Sequence, residues 1–513
     1  MAEKYIVVYD VISSGTKTSV FRTDGKLLSH SYRALPISIE GDHIEQDTED
    51  WWKTVLETTS EATANIDKSK IAAIVFTTQS QICLCVDEHA NPLMKAITWA
   101  DTRSLEIEDK IGKGISPKEH FHLTGLTNSP HSSIRKLMWI KEKRADVYEK
   151  TYKVIQCKDY LAARFCGRIC TDYSDASSTF ALDIEKREWS SRILKLSGID
   201  RQKFPELFES NVVIGQITPD AAAETGLHAG TDVVLGAGDI LCNAVGAGCI
   251  HPGDLYMSLG SSSWVAKCTK KPVPDDSLLR PTANPHAIPG LYLCFVCYQD
   301  AGVMFKWLKN SIFRYDPYGR RNVQPFENVY PYDCMEEAVK QSPIGANGIL
   351  CLPHLLGATA NQPQPYTSGA FIGLTWRHTR EDMMRAALEG VTFELKKLVD
   401  LFRDSDTNEM TIVGIASHER YWLQMMADIF DITIYNTELT DTPDSIGAAI
   451  VAGQATGIYR DFDQAGRFRR IEEAFIPNPR NVELYAQLYQ VYEKAFNNLE
   501  GTLREIAQFN KYQ

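Results

Sequence analysis

Short apolar runs alternate with polar turns over the first 35 residues of the chain. Tyr5 to Tyr9 is a continuous run of apolar and β-branched residues, a polar segment from Asp10 to Thr16 follows it, and Thr18 to Phe21 again has strand character. Asp24-Gly25 is a typical hairpin turn and precedes a further strand pattern over Leu27 to Tyr32. The pattern predicts three consecutive antiparallel strands.

Strand and helix patterns alternate in the rest of the chain. Ile71 to Phe76 and Asp232 to Leu235 have the composition of buried strands. Asp50 to Glu61 and Arg380 to Phe402 have the period of amphipathic helices, and Thr411 to Val413 is a short strand pattern. The chain is therefore predicted to be a mixed α/β protein.

A glycine-rich segment near the middle of the chain, Gly236 to Gly253, marks a boundary. It is followed by a strand, a small polar turn and a strand over Asp254 to Cys268, the same order as at the N-terminus. This repeat is weak, because a strand pair with a small-residue turn also arises by chance. We predict two related domains, at residues 1–250 and 251–513.

Composition excludes several classes of protein. Hydrophobic residues make up 44% of the 513 residues and charged residues 23%, which is typical of large globular domains. The formal net charge is -12 and no dense run of Lys and Arg occurs, so nucleic acid is not an expected partner. No apolar stretch approaches the roughly 20 residues of a membrane span, and no targeting segment is seen, so a cytoplasmic location is expected.

Several motifs resemble the FGGY carbohydrate kinases, and the resemblance covers nearly the whole chain. The most specific is Gly369 to Leu374, followed by Asp382-Met383 and Ala386 to Glu389, which matches the C-terminal signature of that family. Ser133, Lys136, Leu137 and Trp139 approach a second family pattern, from which His131 and Lys143 depart. Within the family the chain most resembles the xylulokinases, in Glu45 to Asp47 before Trp51-Trp52, in Trp99, Asp101 and Arg103, in Lys158 to Leu161, and in Thr171 to Ala176.

The resemblance implies a fold and an activity. The fold is two actin- or hexokinase-like domains of the ribonuclease H-like type that face a central cleft, with sugar bound mainly by the first domain and ATP mainly by the second. The activity is transfer of the γ-phosphoryl group of Mg²⁺-ATP to a sugar hydroxyl, with a ketose such as xylulose as the expected substrate. The sequence leaves the oligomeric state open, and a homodimer is one option.

Asp239 is the candidate catalytic base. It follows a strand pattern and the glycine-rich Gly236-Ala237-Gly238, where a carboxylate can approach a ligand closely. From the residues alone, a helix N-cap is an equally good interpretation. The resemblance matches Asp239 to the base of the family, although Ile240 stands where relatives often have an amide that contacts sugar.

The resemblance also implies three nucleotide-binding segments. In the first, Asp10 corresponds to an acidic residue that helps to hold Mg²⁺, and Ile12 replaces a glycine. From spacing alone, Asp10 is an ordinary turn residue at a strand end. The nucleotide-binding residues implied are Ser13, Ser14 and Lys17 in the first segment, Gly260, Ser261 and Ser262 in the second, and Gly414, Ile415, Ala416 and Ser417 in the adenosine segment.

The candidate sugar-binding residues are Gln79, Ser80, Gln81, Trp99, Asp101 and Asp239. Amides and a hydroxyl can bond sugar hydroxyls but are also common in loops, and Trp99 is equally explained as a core residue. A family Glu-Arg pair is missing from Gly357 to Asn361. Ile415, Ala416 and Ser417 stand where relatives typically have glycines, and their Cβ atoms are expected to narrow the space over the adenine. Two functions therefore stay open: an ATP-dependent sugar kinase, which we prefer, and a noncatalytic sugar-binding or regulatory protein with weakened nucleotide binding.

Overall fold

A computed structural model describes residues 3–260, 263–273, 276, 280–298, 301–311, 339–356, 368–414, 417, 419–438, 442–463, 468 and 470–510. The strands are β1 Tyr5–Ile12, β2 Gly15–Arg22, β3 Leu27–Ala34, β4 Ser38–Glu40, β5 His43–Gln46, β6 Ile71–Thr78, β7 Leu84–Val86, β8 Ala96–Ile97, β9 Lys153–Ile155, β10 Cys170–Asp172, β11 Leu182–Asp183, β12 Glu188–Trp189, β13 Glu206–Phe208, β14 Val213–Gln216, β15 Asp232–Gly238, β16 Leu255–Leu259, β17 Ser263–Thr269, β18 Thr282–Pro285, β19 Tyr292–Tyr298, β20 Leu350–Leu352, β21 Ala370–Ile372, β22 Glu409–Val413, β23 Thr433–Thr437 and β24 Ile471–Phe475.

The helices are α1 Thr48–Ala62, α2 Lys110–Gly114, α3 Pro117–Thr124, α4 Ser133–Lys143, α5 Ala145–Lys150, α6 Cys157–Cys166, α7 Tyr173–Ser178, α8 Ser191–Ser197, α9 Pro219–Thr225, α10 Asp239–Gly246, α11 Ala301–Ser311, α12 Arg380–Phe402, α13 Arg420–Phe430, α14 Pro443–Ala455 and α15 Pro479–Asn510. The predicted mixed α/β character is confirmed. None of the described helices is both long enough and apolar enough to cross a membrane.

The chain forms two compact units, each built from separate stretches of sequence. The first contains residues 1–252, 268–294 and 442–470, and the second contains 253–267, 295–441 and 471–513. The first stretch ends close to the predicted boundary at 250, whereas the return of residues 442–470 to the first unit was not foreseen. The two-part division of the sequence stays a prediction.

The first unit is organised around a six-stranded mixed sheet of order β14-β15-β6-β1-β2-β3. The predicted antiparallel pairing of β1, β2 and β3 is confirmed. Strands β1, β6 and β15 run parallel to one another, so their carboxyl ends lie at one edge of the sheet. That edge is where polar residues can reach a ligand without interrupting the strand pairing.

Helices cover both faces of this sheet. Tyr9, Phe76 and Phe165 form an aromatic group between the sheet and α6, with ring centroids 5.2 to 5.7 Å apart, and Trp52 of α1 packs edge-on against Phe165. Alternate residues of a strand point to opposite faces, so Asp10 points away from Tyr9 and its core. Helix α14 contacts β1, β6 and β15.

Two glycines allow α10 and α14 to cross closely. A Cβ added at Gly246 would lie 2.0 Å from the carbonyl oxygen of Pro443, and one at Gly447 would lie 1.8 Å from that of Cys242. No side chain fits at these distances, so the crossing requires glycine on both helices. It fixes the first turns of α14 against the second half of α10 within the first unit.

In the second unit, a mixed sheet contains β17-β16-β22-β23-β24 in that order. Strands β16, β22 and β23 are parallel, and β17 and β24 pair antiparallel at either side. Helices α12 and α15 are joined by a buried group in which Arg385 contacts both Glu389 at 2.8 Å and Tyr485 at 2.7 Å. The observed bounds of α12 are those predicted for Arg380 to Phe402.

Candidate active site

The carboxyl edge of β1, β6 and β15 brings the main candidate residues of the first unit together. Asp10 of β1 lies opposite Thr77 of β6, and Ala237 of β15 lies opposite Thr77 from the other side. Neighbouring strands are about 4.8 Å apart, so Asp10 and the end of β15 are separated by about two strand spacings. Asp239 therefore starts its helix at the same edge as Asp10.

Asp239 is the first residue of α10, and Gly238 rather than Asp239 occupies the N-cap position. Its Oδ1 accepts a hydrogen bond of 2.8 Å from the N–H of Ile240, and the side chain is partly exposed. Burial, and after it the Asp10 carboxylate, raises the pKa of Asp239 to about 6. The N-cap interpretation is thus not what the structure shows, and a carboxylate with this pKa suits proton acceptance near neutral pH.

Asp10 is buried beside a lysine. Its Oδ2 lies 3.0 Å from Nζ of Lys17, the residue directly across the β1–β2 hairpin. Its Oδ1 is also buried, and no hydrogen-bond donor of the described residues contacts it. A buried carboxylate oxygen of this kind fits Mg²⁺, which binds one or two protein carboxylates and completes its shell with water and phosphate oxygens.

Asp444 is a third acidic residue of this edge, and the sequence reasoning missed it. It lies in the first turn of α14, and its Oδ1 accepts a hydrogen bond of 2.5 Å from Nδ2 of Asn243 on α10. Burial raises the pKa of Asp444 to about 7, with further contributions from the carboxylates of Asp10 and Asp239. Its sequence signal, an acidic residue in a first helical turn, is common and is explained by the helix dipole alone.

Ser13 connects the first phosphate loop to the candidate sugar side. Its hydroxyl donates to Oε1 of Gln79 at 2.8 Å and accepts from Nε1 of Trp99 at 2.7 Å. Its carbonyl accepts from Gln46, whose own Oε1 accepts from Nε2 of Gln79 at 2.7 Å. The Ser13 side chain, expected to contact nucleotide, is thus bonded to two candidate sugar-binding residues.

The backbone of the loop's next residue, Ser14, is held by the third strand. Its carbonyl accepts hydrogen bonds from the N–H of Leu35 at 3.0 Å and from the hydroxyl of Tyr32 at 2.9 Å. Ile12, which replaces a family glycine, is 36% exposed. The loop is therefore anchored at Ser13 and Ser14, while the apolar side chain of Ile12 is exposed.

Trp99 is the most accessible of the candidate sugar-binding residues. It is 48% exposed, so the interpretation of Trp99 as a core residue is wrong. Its carbonyl lies 3.0 Å from Nδ1 of His131, and its indole N–H is bonded to Ser13. An exposed indole held in this way offers an apolar face to a sugar.

Asp101 is placed differently from what we expected. It is fully buried, and its carboxylate accepts hydrogen bonds from Arg103 Nε at 3.0 Å, Arg103 Nη2 at 2.8 Å and the N–H of Ile44 at 2.6 Å. Arg103 follows it by only two residues and satisfies the carboxylate completely. This geometry does not support a direct sugar contact from Asp101, and it assigns Asp101 to holding the turn that carries Trp99.

The loop after β6 carries the other sugar-side candidates. Gln79 is 3% exposed. Ser80 donates to Oδ1 of Asp175 at 3.2 Å. Gln81 has a φ of 60°, its N–H is bonded to Ser178 Oγ at 3.3 Å, and its carbonyl accepts from Nζ of Lys136 at 2.9 Å. The backbone of this loop is therefore fixed, and Ser80 and Gln81 are its partly exposed members.

The described nucleotide-side candidates of the second unit follow two adjacent parallel strands. Gly260 follows β16 and Gly414 follows β22. Gly414 has a φ of 99°, and a Cβ there would lie 2.4 Å from the carbonyl oxygen of Leu259, so only glycine fits. Ser417 donates to the carbonyl of Gly414 at 2.6 Å. Ser261, Ser262, Ile415, Ala416 and the segment Gly357 to Asn361 lie outside the described residues.

Comparison with known proteins decides the family. Residues 5–246 match the model of the N-terminal domain of the FGGY family of carbohydrate kinases, and residues 255–456 match that of its C-terminal domain. The chain belongs to the FGGY family of carbohydrate kinases. It is similar to xylulose kinase of Bacillus subtilis (strain 168), with 29% identity over 99% of this chain and 100% of the relative. It is also similar to gluconokinase of the same organism, with 25% identity over 99% and 98%.

Solved structures agree with an FGGY fold. Ligand-bound xylulose kinase from Lactobacillus acidophilus matches 98% of this chain and 100% of its own with a TM-score of 0.86 and 24% identity. Gluconate kinase from the same organism matches with a TM-score of 0.87, also at 24% identity. The predicted fold of two actin- or hexokinase-like domains is confirmed. This FGGY protein is a carbohydrate kinase, and its relatives include xylulose kinases and gluconokinases.

Proposed function

We propose that this kinase phosphorylates a ketose such as xylulose, with Asp239 as general base and Asp10 as the residue that holds Mg²⁺. The observation that carries the proposal is the Asp239 carboxylate, which is partly exposed at the carboxyl edge of the sheet and has its pKa raised to about 6 by burial and by Asp10. A base with a pKa just below neutral is ionised at pH 7 and still accepts a proton readily.

Each residue then has a defined part in the transfer. Asp239 accepts the proton of the attacking hydroxyl, and the exposed ring of Trp99 binds the apolar side of the sugar. Asp10 holds Mg²⁺, which when bound neutralises phosphate charge. Lys17 lies beside Asp10 and adds a cation near the phosphates. In the second unit, Gly260 and Gly414 leave backbone N–H groups accessible to nucleotide.

The charge of this edge favours an uncharged sugar over gluconate. Burial is the main cause of the raised pKa of Asp239 and of Asp444, and the Asp10 carboxylate raises both further. A gluconate carboxylate would add a negative charge at an edge where Lys17 offsets only one of three acidic residues, and like-charge repulsion opposes that. Among the relatives, both xylulose kinases and gluconokinases occur, so the charge argument is what separates the two substrates.

A panel of acceptors tests the proposal. The purified protein is given Mg²⁺-ATP with xylulose, ribulose, glycerol or gluconate, and ADP release is measured for each. We expect the highest kcat/KM with a ketose and the lowest with gluconate. Gluconate as the best substrate would contradict the charge argument, and no sugar-dependent ADP release with any member would favour the noncatalytic alternative.

A further inference from the structure

A group of fully buried charges lies behind the candidate site. Lys158 of α6 is 0% exposed, and its Nζ lies 2.7 Å from Asp159, 3.0 Å from Asp172 and 3.3 Å from Asp175. Burying one lysine with three carboxylates is costly, and a hydrophobic group of equal volume would often be as stable. Burial, followed by the neighbouring aspartates, raises the pKa of Asp175 to about 8 in spite of Lys158. These residues belong to two of the xylulokinase-like segments, Lys158 to Leu161 and Thr171 to Ala176. The proposed chemistry assigns no role to either segment.

Asp172 holds two hydroxyl groups at the end of β15. Its Oδ2 accepts hydrogen bonds of 2.6 Å from Ser174 and of 2.6 Å from Ser210. Each hydroxyl has one hydrogen, so Ser174 Oγ, having donated to the carboxylate, is left with only acceptor capacity. Burial opposes the ionisation of Asp172, but Lys158 and these hydroxyls together lower its pKa. The Asp172 carboxylate is therefore the acceptor in both hydrogen bonds, and the serine hydroxyls are the donors.

Both serines bind the backbone that leads to Asp239. Ser174 Oγ accepts a hydrogen bond of 3.0 Å from the N–H of Gly238. The carbonyl of Ser210 accepts one of 3.0 Å from the N–H of Gly236. Gly236 has a φ of 76°, and a Cβ there would lie 1.8 Å from the carbonyl of Phe76, so this short segment has an unusual path that needs support.

The loop after β6 rests on the same buried group. Ser80 donates to Asp175 at 3.2 Å, and a Cβ added at Gly238 would lie 2.7 Å from Ser80 Oγ and 3.3 Å from Oδ1 of Asp175. The sugar-side loop and the segment before Asp239 therefore touch at Gly238. The buried charges therefore support both segments.

We propose that Asp172 and Ser174 are positioning residues for phosphoryl transfer. Asp172, held by Lys158, orients the hydroxyl of Ser174, which fixes the peptide N–H of Gly238 and thereby the direction of the Asp239 carboxylate. The proposal rests on Asp239 being the base of the proposed function. Small displacements of a positioned base lower the rate steeply, because the reacting atoms must meet in a narrow range of geometry.

Ser174→Ala is the direct test, since Asp172 also caps α7 and its replacement would disturb that helix. Ser197→Ala is the matched control: Ser197 is buried, donates to the Leu194 carbonyl at 3.0 Å and accepts from the N–H of Ile199 at 3.4 Å. With the best sugar of the acceptor panel, we expect Ser174→Ala to lower kcat by about 10- to 100-fold with KM for the sugar changed by less than about twofold. The control should keep kcat within about twofold of the unchanged protein. It should change the melting temperature by about as much as Ser174→Ala does.

A double variant separates this proposal from the assignment of the base. In the Asp239→Asn background, Ser174→Ala should have almost no further effect on kcat, because it acts through Asp239. An undiminished effect in that background, or equal kcat losses in Ser174→Ala and the control, would overturn the positioning role. A full rate in Asp239→Asn alone would instead overturn the base. If Ser174→Ala does not fold, Ser210→Ala, which leaves the Ser210 carbonyl in place, must still lower kcat more than the control does.

Discussion

Asp239→Asn should make this kinase slower and more stable at the same time. The rate should fall because an amide cannot accept the hydroxyl proton, and losing a positioned base lowers kcat by about 100-fold or more. Stability should rise because the folded protein holds a carboxylate in surroundings that disfavour its charge, as shown by the pKa of about 6. The Asn oxygen can still accept the hydrogen bond from the N–H of Ile240.

The size and pH dependence of the gain follow from the pKa. An aspartate whose pKa is raised to about 6 on folding costs the folded state at most about 3 kcal/mol at pH 7. Because the side chain is partly exposed, solvent screening reduces the expected gain to about 1 to 2 kcal/mol. Folding raises the pKa of this acid, so ionised Asp239 lowers the stability of the folded state. This cost is fully present above the folded pKa and disappears as the pH falls below the unfolded pKa.

Urea unfolding of both proteins at pH 7.5 and at pH 4 measures this difference. We expect Asp239→Asn to be more stable at pH 7.5 and nearly equal to the unchanged protein at pH 4. The kcat/KM of the unchanged protein should fall as the pH drops through about 6, the pKa of Asp239. A variant that is less stable at pH 7.5, or a gain that is the same at both pH values, would refute the reasoning.

Three further predictions concern other parts of the protein. Asp10→Ala should weaken Mg²⁺-ATP binding by calorimetry and leave sugar affinity nearly unchanged, and the reverse result would show that the first loop is misassigned. Gly447→Ala should destabilise the protein by more than about 2 kcal/mol, because its Cβ would lie 1.8 Å from the carbonyl of Cys242. Gly501→Ala is the control and should be neutral or slightly stabilising in a thermal melt, because among the described residues no atom beyond its own stretch of helix lies within 4 Å of the added Cβ. Sugar should tighten the binding of an ATP analogue, with an equal reciprocal effect, and Ser13→Ala should reduce that coupling; tight, sugar-independent binding in the unchanged protein would contradict this.

Local pattern was enough to predict the elements that carry the site. The pattern of apolar and polar residues predicted β1, β2 and β3. Each strand is a run of apolar and β-branched residues, and polar turn residues separate the runs. Helix α12 was predicted with its observed bounds for the same reason. Gly236 to Gly238 was recognised as a segment where a backbone can take an unusual path, and Gly236 has a φ of 76°.

Contacts between distant segments could not be predicted in this way. Asp444 is 201 residues away from Asn243, the residue that donates to it, and nothing in the sequence around Asp444 indicates that α14 returns to the first unit. Which side chains are bonded to one another was also not predicted, even for neighbours such as Asp101 and Arg103. Asp101 is bonded to Arg103 and Ser13 to Gln79 because of how the loops fold, although the resemblance alone suggested ligand contacts for both Asp101 and Ser13.

The most direct test of the account is transfer of labelled phosphate from γ-labelled ATP to xylulose. The unchanged protein should form a labelled sugar phosphate in the presence of Mg²⁺, and Asp239→Asn should form it about 100-fold or more slowly while binding xylulose with similar affinity. Labelled sugar phosphate formed equally fast by both proteins would contradict the role of Asp239. Xylulose binding without any labelled product would contradict the proposed reaction itself.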